Sequence, residues 1–212
     1  MVTIMHPSTS PVKQVTHLGL DRRVTCQNGD VIHAFPCGTL ALDFVGTLRA
    51  RRNARPTEKL SAPSDLDAWF VESGLVPRAT ASVSADVDAA VEVREAIYAL
   101  VWARLHERPL PADAVATVNA AAAAPPLTAA LTPDGWSRSG TPRQALSHIA
   151  REAVEIVGGE QAALLRECAR PECTQVYLDT SRGHRREWCS MSTCGSRMKA
   201  KAYRERRKAD AA

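Results

Sequence analysis

The chain has 212 residues, 45% hydrophobic but only 5% aromatic, with a formal net charge of +4. That is enough for one ordinary domain plus a small module, and no run approaches the ~20 consecutive apolar residues of a membrane helix. The charge is uneven: residues 1–165 carry 15 basic and 17 acidic side chains, whereas residues 166–212 carry 12 and 6, so only the C-terminal end attracts polyanions.

Residues 1–32 show no sustained periodicity and are read as a mobile leader containing Cys26, with Met5 an alternative start. The leader lacks the apolar core of a secretory signal, since Pro7 and Pro11 interrupt it. This points to the cytoplasm, where thiols stay reduced and regularly spaced cysteines favour a metal over disulfides. The first ordered stretch runs from Phe35 to Leu48. Thr39 is a helix cap there, with Leu40, Phe44 and Leu48 on one face; alternation is also present, so a strand is the other reading. Asp43 inside this apolar run is either a carboxylate satisfied by main-chain N–H groups or an arginine, or a functional group. Cys37, like Cys26, is read as an ordinary small residue or a buried thiol. Arg49, Arg51, Arg52 and Arg55 follow as a solvated basic loop.

The next helix spans 63–73, opened by Pro63, with Asp65 and Asp67 complementing its positive end and Gly74 stopping it. A long helix from Ser84 to Glu107 carries Val87, Val91, Arg94, Tyr98, Val101, Trp102 and Leu105 near helical spacing, with the aromatics read as core. An alanine-rich helix fills 111–123. Pro133-Asp134-Gly135 predicts a β-hairpin between two short runs. Thr141-Pro142 opens a further helix to Val157, and Gly158-Gly159 ends it. A short helix over 160–167 then leads into the cysteines.

Those cysteines form two pairs, Cys168/Cys173 and Cys189/Cys194, each enclosing four residues, with fifteen between the pairs. Two equal loops that each bring two thiolates to one cation are what a closed Cys₄ zinc site requires. Val176-Tyr177-Leu178 reads as a short strand, Asp179-Thr180-Ser181 as a reversal, and a basic helix starts near Gly195. From Arg182 to Lys208, ten Lys or Arg face only Glu187 and Glu205. The expected fold is thus mainly α with a small β-hairpin: a helical domain over 33–165, a Cys₄ module with basic helix over 166–208, and a tail over 209–212.

Leu178-Asp179-Thr180-Ser181, Trp188-Cys189-Ser190-Met191 and Cys194-Gly195-Ser196-Arg197 resemble the CGNR-type zinc finger. Leu42-Asp43-Phe44-Val45-Gly46-Thr47, with the PSDLDAWF and VREAIYAL stretches, resembles the ABATE domain that usually precedes that finger. The resemblance spans residues 33–205 and implies a stress-induced transcription regulator. Two positions depart from the family pattern: Ser196 and Gly46 both stand where it has asparagine. Neither change touches a metal ligand.

Three functional classes follow. In the first, structural Zn²⁺ folds a DNA-binding module, and Arg182, Arg185, Arg186, Arg197, Lys199, Lys201, Arg204 and Arg207 meet phosphates; a homodimer would extend the site that one small finger reads. In the second, the finger is only a clip, and the helical domain senses a small molecule or binds protein, with Asp43 and Arg94 as polar anchors of a pocket. The third, a zinc hydrolase or deaminase, is disfavoured. His184 is read as an exposed loop residue rather than a ligand, and the deaminase, HExxH, GxSxG and P-loop signatures are absent from the sequence. A redox role overlays the first class, because zinc thiolates beside arginines are oxidisable.

Overall fold

The computed structural model describes residues 33–133 and 135–209, so the leader, with Cys26, and the last three residues lie outside the described part. Six α-helices are present among the described residues: α1 (Leu40–Val45), α2 (Pro63–Glu72), α3 (Ser84–Leu105), α4 (Ala112–Ala123), α5 (Pro142–Gly158) and α6 (Ser196–Ala209). Three two-stranded antiparallel sheets join them: β1 (Leu48–Arg49) with β2 (Thr57–Glu58), β3 (Thr128–Thr132) with β4 (Gly135–Ser139), and β5 (Leu165–Glu167) with β6 (Val176–Leu178). The fold is mainly helical, as the sequence indicates. No helix among the described residues is long and apolar enough to cross a membrane.

Helices α3, α4 and α5 pack on one another, and α1 is wedged against α3, α5 and β6. Every residue of α1 is buried, so this short helix cannot borrow solvent for its end groups. Thr39 caps it, its hydroxyl accepting from the Leu42 N–H, and Glu152 of α5 accepts from the Ala41 N–H at 2.6 Å. The helix is shorter than its apolar spacing suggests. Thr47 bonds back to the Phe44 carbonyl through both its N–H and its hydroxyl, and Leu48 enters β1 instead. Asp43 behaves as a satisfied buried carboxylate and accepts from the Cys37 N–H at 2.8 Å.

Helix α2 has no capping side chain at Ala62, so the Asp65 carboxylate accepts from the N–H groups of Ser61 and Ala62. Asp67 does more than complement the helix end: it collects the hydroxyls of Thr80 and Ser82 and both their N–H groups, tying down the loop before α3. Burial opposes its charge, but these hydrogen bonds outweigh it and hold the carboxyl below its ordinary range. Helix α5 has the full reciprocal cap, Thr141 with Gln144. Its residues Ser147 and Arg151 also cap the end of α4 by donating to the Ala124 carbonyl.

Three expectations are corrected. The segment 49–55 is a solvated basic loop only in part: Arg52 and Arg55 are exposed, but Arg51 lies over the Tyr98 ring, 4.0 Å from its centre, and donates to Glu95 and to the Val45 carbonyl. Residues 160–167 do not form one helix. A 3₁₀ turn over Glu160–Leu164 gives way to strand β5, because β6 offers it a partner. The aromatics of the helical domain are not uniformly core. Trp69 is fully buried among Phe35, Phe44 and Phe70, whereas Trp102 is 41% exposed, stacked on His106, and Trp136 is 62% exposed at the hairpin tip.

Arg94 is the one guanidinium in the interior of α3, 1% exposed. It binds Glu58 of β2 through both terminal nitrogens at 2.6 and 2.7 Å, Glu95 at 2.8 Å and the Thr47 hydroxyl at 3.2 Å. Burial raises the Glu58 carboxyl, but the hydrogen bonds from Arg94, Leu60 and Lys59 win and hold it below its ordinary value. Removing one member of such a pair leaves a charge unpaired. Arg94→Ala should therefore lower the unfolding free energy by about 3 kcal/mol in denaturant titrations; a loss near zero would mean that desolvation already cancels the pairing. A carboxylate with a depressed folded pKa contributes stability above its unfolded pKa and loses it as pH falls through the folded value. Glu58→Gln should thus flatten the acid limb of the stability profile.

Candidate metal centre and basic helix

The four cysteines predicted to bind metal converge from two knuckles. Their sulfurs lie within 4.8 Å of one another, all buried, with Cys173 to Cys189 at 3.9 Å and Cys189 to Cys194 at 3.6 Å. A tetrahedral zinc ion with Zn–S bonds of about 2.3 Å holds its sulfurs about 3.8 Å apart, so the cluster fits that ion. It does not fit disulfides, and all four cysteines are free. Four thiolates fill the tetrahedral shell, which makes the zinc structural.

Crowded thiols oppose one another's ionisation, which is why a cation belongs there. Hydrogen bonds from Cys173 and Cys189 drive the Cys168 thiol far down, while Cys173 is pushed up to about 12 by its bond to Cys168, and Cys189 rises as well. Four crowded sulfurs cannot all ionise by themselves; a divalent cation removes the conflict. Arg170 adds to that compensation, its guanidinium 3.6 Å from the Cys194 sulfur. Spacing alone does not single out Arg170, which lies on the opposite knuckle.

Local sequence explains the geometry of the knuckles. Cys168 N–H donates to the Gln175 carbonyl and Cys173 N–H to the Arg170 carbonyl, closing the first. The second closes through a single π turn over Met191–Gly195, in which Gly195 N–H reaches the Ser190 carbonyl. A Cβ at Gly195 would lie 2.7 Å from the Met191 sulfur and 3.1 Å from Trp188, so glycine permits the close packing. Ser196, where the family pattern has asparagine, donates its hydroxyl to the Ser192 and Thr193 carbonyls. Between the knuckles, Asp179 accepts from the N–H and hydroxyl of Ser181 and from the Arg186 N–H, and the Ser181 bonds chiefly hold its carboxyl low. His184 is exposed and faces the Asp179 carbonyl at 2.8 Å, outside the sulfur cluster.

Two modules meet at a buried polar seam. Gln175 donates its amide to the Gly46 carbonyl at 3.1 Å and accepts from the Cys37 thiol at 3.2 Å. Burial, with the Asp43 charge second, keeps that thiol well above its ordinary pKa. A Cβ at Gly46 would sit 2.3 Å from the Gln175 oxygen. Glycine at position 46, where the family pattern has asparagine, leaves room for the Gln175 amide.

The predicted phosphate contacts divide. Arg182, Arg185, Arg197, Lys199, Lys201, Arg204 and Arg207 are exposed. Arg186 is committed within the fold: it lies over the Tyr177 ring at 4.3 Å and donates to the carbonyls of Pro36, Trp188 and Cys189. The expected ligand anchors are also engaged, Arg94 with Glu58 and Asp43 with the Cys37 N–H. A cleft of about 440 Å³ beside the finger is lined instead by groups that include Arg49, Arg170 and Arg197.

Two outcomes test this centre. Each of Cys168→Ser, Cys173→Ser, Cys189→Ser and Cys194→Ser should abolish stoichiometric zinc in the purified protein, whereas Cys37→Ser should retain it; zinc loss in Cys37→Ser would redraw the ligand set. Gly46 has φ of −70°, which any residue adopts, so it is the Gln175 amide, not the backbone, that a side chain there would meet. Gly46→Ala should cost about 1–3 kcal/mol through displaced hydrogen bonds. In a double-mutant cycle the cost should shrink when Gln175→Ala is already present.

Among curated proteins none matches the chain. The CGNR zinc finger family matches residues 165–207. The ABATE family, described as "Putative stress-induced transcription regulator", matches residues 38–160, more than half of the chain. The chain therefore belongs to the ABATE family and carries a CGNR zinc finger after that domain.

Proposed function

We propose that the protein is a DNA-binding transcription regulator, with an ABATE-like domain over 33–165 for sensing or interaction and the finger over 166–208 for nucleic acid. The observation that carries this reading is α6. It has no buried residue, yet it is fixed to the zinc module at its first turn. Arg197, Lys201 and Arg204 share one face by helical spacing and line a groove with Arg170. Arg182 and Arg185 add charge from the loop between the knuckles. Such an array meets phosphates, and base readout would come from a minority of its members. A homodimer would place two fingers on successive half-sites.

The seam supports a second reading, in which the finger is a clip. Arg186 and Gln175 bind the helical domain directly, as a purely structural finger would. The two readings part in solution. The DNA reading expects the zinc-loaded protein to bind mixed-sequence duplex with a log–log salt slope of about −5 for about six neutralised phosphates, and to lose that binding on chelation. Arg197→Ala, Lys201→Ala and Arg204→Ala should each reduce the slope by about one. Binding that survives chelation would reduce α6 to a generic polycation. No binding at low salt would favour the clip.

A further inference from the structure

We infer that the cleft between the β1–β2 hairpin and the zinc module is a binding site for a small organic carboxylate with an apolar body, and that this ligand competes with phosphate for Arg197. The competition rests on the DNA-binding reading above; the site does not. The cleft measures about 440 Å³, within the range of small-molecule sites. One wall, Ala34, Phe35, Pro36 and Ala50, is apolar; the other carries Arg170 and Arg197 with the hydroxyls of the second knuckle, and Arg49 reaches in from β1.

The charge inventory selects the ligand. Arg170 is already engaged, its Nε 3.0 Å from Glu172 and a terminal nitrogen on the Cys194 sulfur. Arg49 and Arg197 have no acidic partner among the described residues. The Arg49 Nε is buried and has no hydrogen-bond acceptor among the described residues. A ligand in the cleft cannot reach that enclosed atom, so it would be met by the terminal nitrogens of the same guanidinium, which are not among the enclosed atoms. A carboxylate suits a guanidinium, because its two oxygens match two parallel N–H groups. The charge on the ligand is limited from the other side. Cys173, Cys189 and Cys194 also line the cleft, and a zinc ion with four thiolates keeps a net charge of about −2, which repels a dianion more than a monoanion. The site therefore favours a monocarboxylate over a phosphate ester of the same body.

Arg197 links the cleft to the basic face. It lines both the cleft and the groove formed with Lys201 and Arg204. A carboxylate that draws its guanidinium inward removes one cation from the phosphate-binding array. By linkage, DNA and ligand then weaken each other by the same factor.

The experiment is titration calorimetry on the full-length zinc-loaded protein with benzoate, phenyl phosphate and the neutral isostere benzamide. Saturable benzoate binding is expected, about tenfold tighter than benzamide and tighter than phenyl phosphate. Arg49→Met should weaken it at least about tenfold. Should that variant lose its zinc, Arg197→Met, at an exposed helix position, gives the same readout. Benzoate binding no tighter than benzamide, or undiminished in the variant that keeps its zinc, overturns the site. Saturating benzoate at fixed ionic strength should then lower duplex affinity several-fold; an unchanged affinity overturns the competition. Arg49-dependent benzoate binding by a protein that ignores duplex DNA would uphold the site and reject the DNA reading alone.

Discussion

The two knuckles and the start of α6 depend on four sulfurs sharing one cation. Strands β5 and β6 have three residues each, the second knuckle is a single π turn, and α6 buries nothing. Elements this short cannot offset their conformational entropy through burial alone. Zinc supplies the missing free energy, about 10–16 kcal/mol in comparable peptides. It also sets the direction of α6, because Cys194 lies in the turn that leads directly into that helix. The position of every cation on α6 is therefore a consequence of metal ligation.

The zinc module is not tethered loosely to the helices. Leu178 N–H reaches the Cys37 carbonyl, Arg186 reaches Pro36, and Gln175 reaches Gly46. The buried cysteines belong to the same apolar cluster as α1 and α5. These are interior contacts, made where an unpaired polar group is costly. They transmit position: a shift of the first knuckle moves Gln175, and Gln175 cannot move without disturbing Gly46 and Cys37. The metal centre and α1 thus share one packing solution.

Much of this was legible in the sequence where a residue has one possible partner class. The cysteine spacing specified a tetrahedral site, and the caps at Thr39 and Thr141 marked helix starts that the structure retains. The hairpin around Gly135 also follows from its turn residues. Illegible were contacts whose partner lies far along the chain. Arg51 reads as a loop cation until Tyr98 and Glu95 are brought beneath it. Strand β5 reads as helix because its partner β6 lies beyond a knuckle. Arg186 counts with its basic neighbours in one dimension, and only the fold turns it inward. The same holds for Gln175, whose role depends on a glycine 129 positions away.

Helix α6 shows what the fold leaves undone. A helix with no buried residue, only Met198 and Ala202 being half-covered, gains little from a core. Its cations at Arg197, Lys201 and Arg204 are neighbours on one face, and like charges at that spacing repel. Arg206, Arg207 and Lys208 in the last turn suit the negative end of the helix dipole, and Glu205 lies four residues after Lys201. Each of these terms is a few tenths of a kcal/mol, too small to account for a rigid solitary helix. The firm anchor is at its start, where the Ser196 hydroxyl bonds two carbonyls of the π turn. The protein thus fixes where the helix begins, while a polyanion along the basic face would relieve the repulsion that follows. Order and binding would then come from the same charges.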